Sequence, residues 1–442
     1  MNRIAVLLVL LCLPVAGSAQ QTIETLTIDQ AVAFALKHNR LLLNEEIEVE
    51  KAADQVAAAR TRRLPAFDLT VFQAQLLSPL DFEFRRGALG TYPNLGPIPS
   101  RDTDISRGRK PATLIFGRAS QPLTQLPRIN LGIRLQESRR ELAESRLQAQ
   151  RQTVINQTKR LCYGLLQKQS ALAAAEETIA LYRELDRVVG EYVVQQVALE
   201  ADSLEVKARL VREEYEALTL RHALESQREQ LNQLLGRDLR AEFKLSPVAE
   251  SAFTEIDLPA AQSRALLQRA EVSEARLKLK QAEYDQRLKQ SERWPEVSLN
   301  FVYGSPFGSE VLPKNVAAVG LLMKWEPFDW GRKKHELSEK TRAIAQARHA
   351  VQEAEARVLV EVNAQFRKLE EARALLKIVR LSQLSAGEKL RVVRNKYKYE
   401  AALYKDVLQT QAAVADTNHQ YQQALLNYWT ARADFEKAVG EN

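Results

Sequence analysis

Two short stretches of the chain alternate strictly between apolar and polar residues. Phe67-Asp68-Leu69-Thr70-Val71 and Val297-Ser298-Leu299-Asn300-Phe301 each put three apolar side chains on one side and polar ones on the other. Period-two alternation of this kind belongs to a strand with one apolar face. Each stretch is followed by a Gly/Pro-containing connection and a second extended run, Thr113 to Ser120 and Val316 to Trp325. The pattern predicts two β-hairpins, with strands over 66–76 and 112–121, then over 296–304 and 316–325. The returning strand of the first hairpin is the weaker, interrupted by Gly117 and Arg118. Its loop, 77–111, is long, whereas that of the second, 304–315, is short.

Outside these windows the pattern changes. Eight of the fifteen prolines lie between Pro65 and Pro127 and four more between Pro295 and Pro327, while residues 128–246 and 328–442 contain none. Helix breakers thus gather where helices must stop. The proline-free tracts are rich in Ala, Leu, Gln, Glu, Lys and Arg, strong helix formers, and predict long helices over 128–196, 200–235, 331–399 and 403–440. At about 1.5 Å per residue the longest reach on the order of 100 Å. Such helices need long partners. Val407, Val414, Tyr421, Tyr428 and Phe435 recur every seven residues, and Thr410, Thr417, Ala424, Ala431 and Ala438 follow three positions after each. A strict heptad with large residues at one seam position and small ones at the other is a coiled-coil face.

The chain also repeats itself. An offset of 230 aligns Leu36 with Leu266, Ala52 with Ala282 and Leu64-Pro65 with Trp294-Pro295, and sets Phe67, Leu69 and Val71 on Val297, Leu299 and Phe301. Past the hairpins the offset falls to 204, matching Ala198-Leu199 and Asp202 with Ala402-Leu403 and Asp406, and Leu235-Gly236 with Val439-Gly440. Two repeats follow, 20–245 and 246–442. Each reads as helix, hairpin, long helix, turn, long helix, with the turns near Gln196–Leu199 and Glu400–Leu403.

Composition narrows the classes. With 45% hydrophobic and 27% charged residues, 16 Gly and 15 Pro, a collagen-like or disordered chain is excluded. The net charge of +7 is small for 442 residues and gives no reason to expect nucleic acid as a partner. Asn2-Arg3, the apolar run Ile4 to Leu13 and the small residues Ala16 to Ala19 read as a signal peptide over 1–19. Cys12 lies inside that apolar run after Leu11, unlike a lipid-anchor cysteine. Removal leaves Cys162 alone, a packed thiol on a helix face. No later apolar stretch approaches the roughly 18 residues of a membrane helix, so any spanning is done by strands. Four strands cannot close a barrel, since membrane barrels have at least about eight, and open edges in lipid would leave unpaired backbone groups. Several copies must then share one barrel, and two, three or four would supply eight, twelve or sixteen strands. The rival reading is an exported coiled-coil scaffold without a pore, which leaves the hairpins unexplained.

The signal peptide, the duplicated plan, the opening Leu26-Thr27-Ile28-Asp29-Gln30-Ala31-Val32 with Ala35-Leu36-Lys37-His38-Asn39, the Arg63-Leu64-Pro65 approach to the first strand and Asp406-Val407-Leu408-Gln409 together resemble the outer-membrane efflux (TolC-like) family. The resemblance implies a mainly α fold with a membrane β-barrel part. Long coiled-coil helices would form a periplasmic tunnel, and four strands per chain would contribute to a twelve-stranded barrel shared by a homotrimer. It implies an exit duct in the outer membrane, in contact with its lipid, docked onto a periplasmic adaptor and an inner-membrane pump. By the same resemblance Asp406 matches an aspartate of the family's entrance constriction, while Gln409 stands where the family has a second. Asp202 is its counterpart in the first repeat, and Tyr404, Lys405 and Arg394 are candidates for contacts that hold the closed state. Carboxylate rings around a pore favour cations. The competing role for Asp202 and Asp406 is to stabilise a helix N-terminus, worth about 0.3–1 kcal/mol. The family often has glycine in the tip turns, which this chain lacks.

Trp325, Phe328 and Trp330 near the end of the second hairpin, with Trp294 before it, suit an interfacial aromatic belt. On the strands, Phe67, Leu69, Val71, Val297, Leu299 and Phe301 are expected to face lipid. The first loop region, Asp81 to Arg128, holds eight basic and four acidic residues, read as solvated, with headgroup contact as the alternative. The histidines His38, His222, His335, His349 and His419 show no metal-ligand spacing, and no phosphate loop or nucleophile elbow occurs. Neither a cofactor nor catalysis is expected.

Overall fold

The computed structural model describes residues 24–75, 77–79, 81–106, 111–197, 199–248, 255–307, 315–399 and 401–441. The signal peptide read over 1–19, with Cys12, lies outside them. In chain order the elements are β1 (Glu24–Leu26), α1 (Ile28–His38), α2 (Arg40–Thr61), β2 (Ala66–Gln75), β3 (Asp81–Phe84), β4 (Thr91–Tyr92), β5 (Gly96–Pro97), β6 (Thr103–Ser106) and β7 (Pro111–Pro122). They continue with α3 (Leu126–Val194), α4 (Glu200–Leu235), β8 (Phe243–Leu245), α5 (Leu258–Gln268), α6 (Ala270–Ser291), β9 (Glu296–Phe307), β10 (Val316–Lys324), α7 (Arg332–Lys398) and α8 (Tyr404–Val439). The chain divides into two compact units.

One unit takes residues up to Leu42, Arg151–Ala261 and the chain from Val362 on. Its core gathers Leu26, Ala31, Ala35, Val154, Cys162, Leu165, Leu224, Leu231, Leu235, Phe243 and Leu245. The short strands β1 and β8 pair in parallel, Leu26 opposite Leu245, across more than two hundred residues of sequence, and no local pattern announces them. Gly164 lets α3 and α4 approach closely, since a Cβ there would run into the Gln227 amide, which donates to the Leu161 carbonyl at 3.0 Å. On α8, Val407, Tyr421, Ala424, Tyr428, Phe435 and Ala438 are buried, and Val414, Thr410, Thr417 and Ala431 are half-buried. The heptad is therefore the packed face of the helix.

The duplication carries down to backbone detail. α4 ends on Gly236 and α8 on Gly440, both in the left-handed region at φ 70° and 88°. The breaks between α1 and α2 and between α5 and α6 fall at positions 230 apart: the Asn39 N–H bonds the Ala35 carbonyl and the Arg269 N–H the Ala265 carbonyl. The Asn39 side chain then accepts from the Leu41 and Leu42 N–H groups, capping α2. Arg269 has a different partner set, a side chain only 5% exposed that bonds Glu271 and Glu361 at 2.8 and 2.7 Å.

The other unit takes Leu43–Gln150 and Gln262–Glu361, and with them the hairpins. Here β2 pairs with β7 and β9 with β10, and the two hairpins join through β7 and β9 into an antiparallel sheet of order β10-β9-β7-β2. One boundary differs from the alternation by more than a residue. β9 runs to Phe307 rather than stopping at Gly304. Its last residues pair with β7, Phe307 opposite Thr113, while β10 reaches only as far as Gly304. The extension is set by a partner distant in sequence. The long first loop contains two antiparallel ladders, Asp81 to Phe84 against Thr103 to Ser106 and Thr91-Tyr92 against Gly96-Pro97, too short to stand out as periodicity.

Candidate functional site

The strand registers decide which side chains share a face. Phe67 lies opposite Ala119, Ala119 opposite Phe301 and Phe301 opposite Val319. The next row on that face runs Leu69, Gly117, Tyr303, Ala317. Val71 faces Ile115, Leu299 faces Leu321 and Val297 faces Met323. The six strand residues named from the alternation, Phe67, Leu69, Val71, Val297, Leu299 and Phe301, therefore occupy one face of one sheet.

The opposite face is mixed. It carries Asp68, Arg118 and Val302 in one row and Ser120, Asn300 and Gly320 in the next. The Arg118 guanidinium donates to the Asn300 side-chain oxygen at 3.1 Å from Nη2 and 3.3 Å from Nε. Asn300 in turn donates to the Ser298 hydroxyl at 2.8 Å. Gly117 and Arg118, which interrupt the sequence pattern, thus fall on opposite faces: the glycine fits between Leu69 and Tyr303, and the arginine joins the polar network.

Among the described residues neither face has a buried hydrophobic side chain of its own. Phe67 is 78% exposed, Leu69 74% and Val319 71%. β10 is exposed at every position. Among the described residues β2 and β10 each have a single strand neighbour, so both outer edges present unpaired N–H and C=O groups.

Exposed aromatics crowd one end of this sheet, where strands meet helices. Trp325 donates from its indole to the Arg293 carbonyl at 3.4 Å, tying the end of β10 to the approach of β9. Phe328 and Trp330 meet edge to face at 4.7 Å. Trp330, 89% exposed, has a φ of 55°, a left-handed conformation unfavourable for a bulky residue. The Asp329 carboxylate holds that turn by accepting from the Gly331 and Lys333 N–H groups at 3.1 and 2.8 Å. The Lys333 N–H keeps the carboxyl below its ordinary range, and the Gly331 N–H adds to this. Trp294, 75% exposed, stands on the other side of the junction.

The helical tips have a shared construction. The Asp202 carboxylate accepts from the Leu199 N–H at 3.2 Å and that of Asp406 from the Leu403 N–H at 3.0 Å. Leucine offers no side-chain acceptor in return, so each aspartate alone closes the first turn of its helix. The structure thus gives both aspartates the helix-stabilising contact, Asp202 exposed and Asp406 half-buried. The α3 end is a Schellman turn without glycine: Gln196 sits at φ 58°, its N–H bonds the Val193 carbonyl and the Val197 N–H bonds that of Tyr192. Ala198 and Glu400 lie outside the described residues, as do the side chains of Tyr404 and Lys405. Arg394 is exposed and has no hydrogen bond or ion pair among the described residues. Gln409 is exposed beside Val392 and Thr410 on a shallow groove.

Among the described residues no cluster of three or more His, Cys, Asp or Glu could hold a metal ion, and no helix is long and apolar enough to cross a membrane. His38 bonds the Phe34 carbonyl at 3.1 Å and His419 the Ser170 hydroxyl at 3.4 Å.

The sequence profile described as Outer membrane efflux protein matches residues 32–237 and 261–441. No curated protein sequence matches the chain. Among solved structures it is similar to the Campylobacter jejuni CmeC outer membrane channel, with 17% identity over 93% of this chain and 85% of that one at a TM-score of 0.74. It is similar to a membrane protein from Pseudomonas aeruginosa, with 16% identity over 95% and 91% at 0.75. It is also similar to the outer membrane protein VceC from Vibrio cholerae, with 16% identity over 94% and 96% at 0.69. At these identities the likeness establishes the fold, long helices with a β domain in the manner of TolC-like channels. With the profile covering both repeats, the chain belongs to the outer membrane efflux protein family.

Proposed function

We propose that this protein is the outer-membrane exit duct of a tripartite efflux or type I secretion system, passively conducting substrate delivered by a periplasmic adaptor and an inner-membrane pump. Three chains each contribute one four-stranded sheet to a twelve-stranded barrel, and the helices extend into the periplasm. One observation carries the reading: an antiparallel sheet with a continuous apolar face, open hydrogen-bonding edges and no core on either side. In lipid each unpaired edge group costs several kcal/mol, and edge-to-edge joining of neighbouring chains removes that cost. Lipid takes the apolar face, while Arg118, Asn300, Asp68 and Ser120 face an aqueous lumen. A periplasmic scaffold would leave Phe67, Leu69, Val319 and Leu321 in water with nothing to cover them.

Fractionation and planar-bilayer recording test this. The mature protein is expected in outer membranes and, once purified, to form conducting oligomers. Recovery as a soluble, non-conducting chain would end the proposal. Asp406 and Asp202 are proposed as charged rings at the periplasmic mouth, beside Gln409, Tyr404, Lys405 and Arg394. Because Asp406 also caps α8, two substitutions separate the roles. Asp406→Asn keeps an oxygen for the Leu403 N–H and removes the charge, whereas Asp406→Ala removes both. A ring predicts weaker block by multivalent cations in both variants; a purely helical role predicts unchanged block in Asp406→Asn.

A further inference from the structure

Where α6 hands over to β9, the described residues form a half-open cleft of about 480 Å³ lined by Arg287, Gln290, Trp294 and Pro295 from the α6–β9 junction and by Pro127 and Arg128 from the start of α3. The volume lies within the roughly 300–1,000 Å³ of small-molecule sites. The acid that lines it, Glu296, and the neighbouring Glu292 and Glu336 are already engaged: Arg128 pairs with Glu296 and Glu292, and Lys289 pairs with Glu292 and Glu336, each at 2.7 Å. Arg287 is different. It is exposed, lines the cavity and has no hydrogen bond or ion pair among the described residues. The cavity therefore combines a guanidinium without a counterion, the Gln290 amide, and an apolar floor made by the Trp294 indole and two prolines.

We infer that this cavity is a binding site for the headgroup of an anionic phospholipid of the periplasmic leaflet. The inference rests on the outer-membrane placement proposed above. Arg287 lies about one helical turn, roughly 6 Å, before the α6 end at Ser291. That depth matches a headgroup layer of about 5–8 Å beyond the hydrocarbon. Arg287 and Gln290 take the phosphate, since guanidinium is suited to phosphate oxygens, while Trp294 and Pro295 receive the glycerol and acyl root. Arg62, Arg293 and Lys324 stand at the same end of the sheet, exposed and with side chains unpaired among the described residues. They favour a headgroup with net negative charge over one that brings its own ammonium group.

Native mass spectrometry of the delipidated oligomer, titrated separately with phosphatidylglycerol and phosphatidylethanolamine, tests the site. Phosphatidylglycerol is expected to bind at least about five-fold more tightly, the scale of one cation at an anionic lipid surface. Arg287→Gln, a surface change, should abolish most of that preference, and Trp294→Ala should weaken both lipids alike. Equal binding of the two lipids by the natural chain, or an unchanged preference in Arg287→Gln, would overturn the site. The same samples are recorded in planar bilayers: normal conductance without lipid preference removes the headgroup site alone, whereas failure to insert removes the duct reading as well.

Discussion

At residue scale, two positions show chemistry that side-chain type alone does not reveal. Gln196 holds a left-handed backbone that glycine adopts without strain. Gln196→Gly should therefore stabilise the α3–α4 tip by about 0.5–1 kcal/mol, seen as a raised melting temperature and slower hydrogen exchange at the turn. Cys162 is fully buried in the α3 core, and burial pushes its thiol up to about 12 from 9.0. A raised folded value means the protonated thiol favours the folded state. This stabilisation is complete below about pH 9 and is lost as the pH climbs towards 12. Cys162→Ala should flatten the alkaline part of a stability profile, and maleimide should label Cys162 only in denaturant. The packed thiol was legible from its apolar neighbours on a helix face. The contrary roles of Gly117 and Arg118 were not, because only the pairing register of β7 sets the glycine between Leu69 and Tyr303 and the arginine within reach of Asn300.

At the scale of elements, glycine matters where a backbone turn coincides with close packing. Gly236 ends α4 at φ 70°, with the His38 carbonyl against the place a Cβ would fill. Gly331 opens the approach to α7 at φ 86° with no neighbour nearer than 3.9 Å. Gly331→Ala should cost about 1 kcal/mol in backbone strain, and Gly236→Ala distinctly more, compared by thermal melts of the two variants. Arg269 poses a similar contrast with Asn39 at the equivalent break. The arginine is buried between two carboxylates and Asn39 makes a neutral cap, so Arg269→Met should lower the melting temperature through the loss of charge-assisted hydrogen bonds, each about 1.5–3 kcal/mol. Hairpins and the α8 heptad were readable because periods of two and seven are local. The α1–α2 and α5–α6 breaks were not, since neither carries Gly or Pro.

For the whole molecule, the two faces of the sheet should respond differently to charge. Phe301→Arg on the apolar face should cost about 2–4 kcal/mol at the bilayer midplane and deplete the protein from outer membranes. Thr70→Arg, on the Asp68 and Arg118 face, should insert normally and shift ion selectivity in planar bilayers. Similar behaviour of the two would contradict the assignment of lipid and lumen sides. The duplication, the four strands of the main sheet and the motif order were all open to sequence reading, and they led to the family that the profile identifies. The pairing of β1 with β8 was beyond it, as was the junction of the two hairpins through β7 and β9.

The sequence by itself determined what repeats and what alternates: two copies of one plan, strands with an apolar side and helices with a packed seam. These follow from short-range periodicity, which burial imposes on neighbours a few residues apart. Tertiary structure alone decided how far β9 extends, which cations around the α6–β9 cavity keep a partner, and that Gln196 takes a left-handed conformation at the end of α3. Those outcomes depend on atoms brought together from distant parts of the chain or on the path of a turn, and no local pattern encodes either.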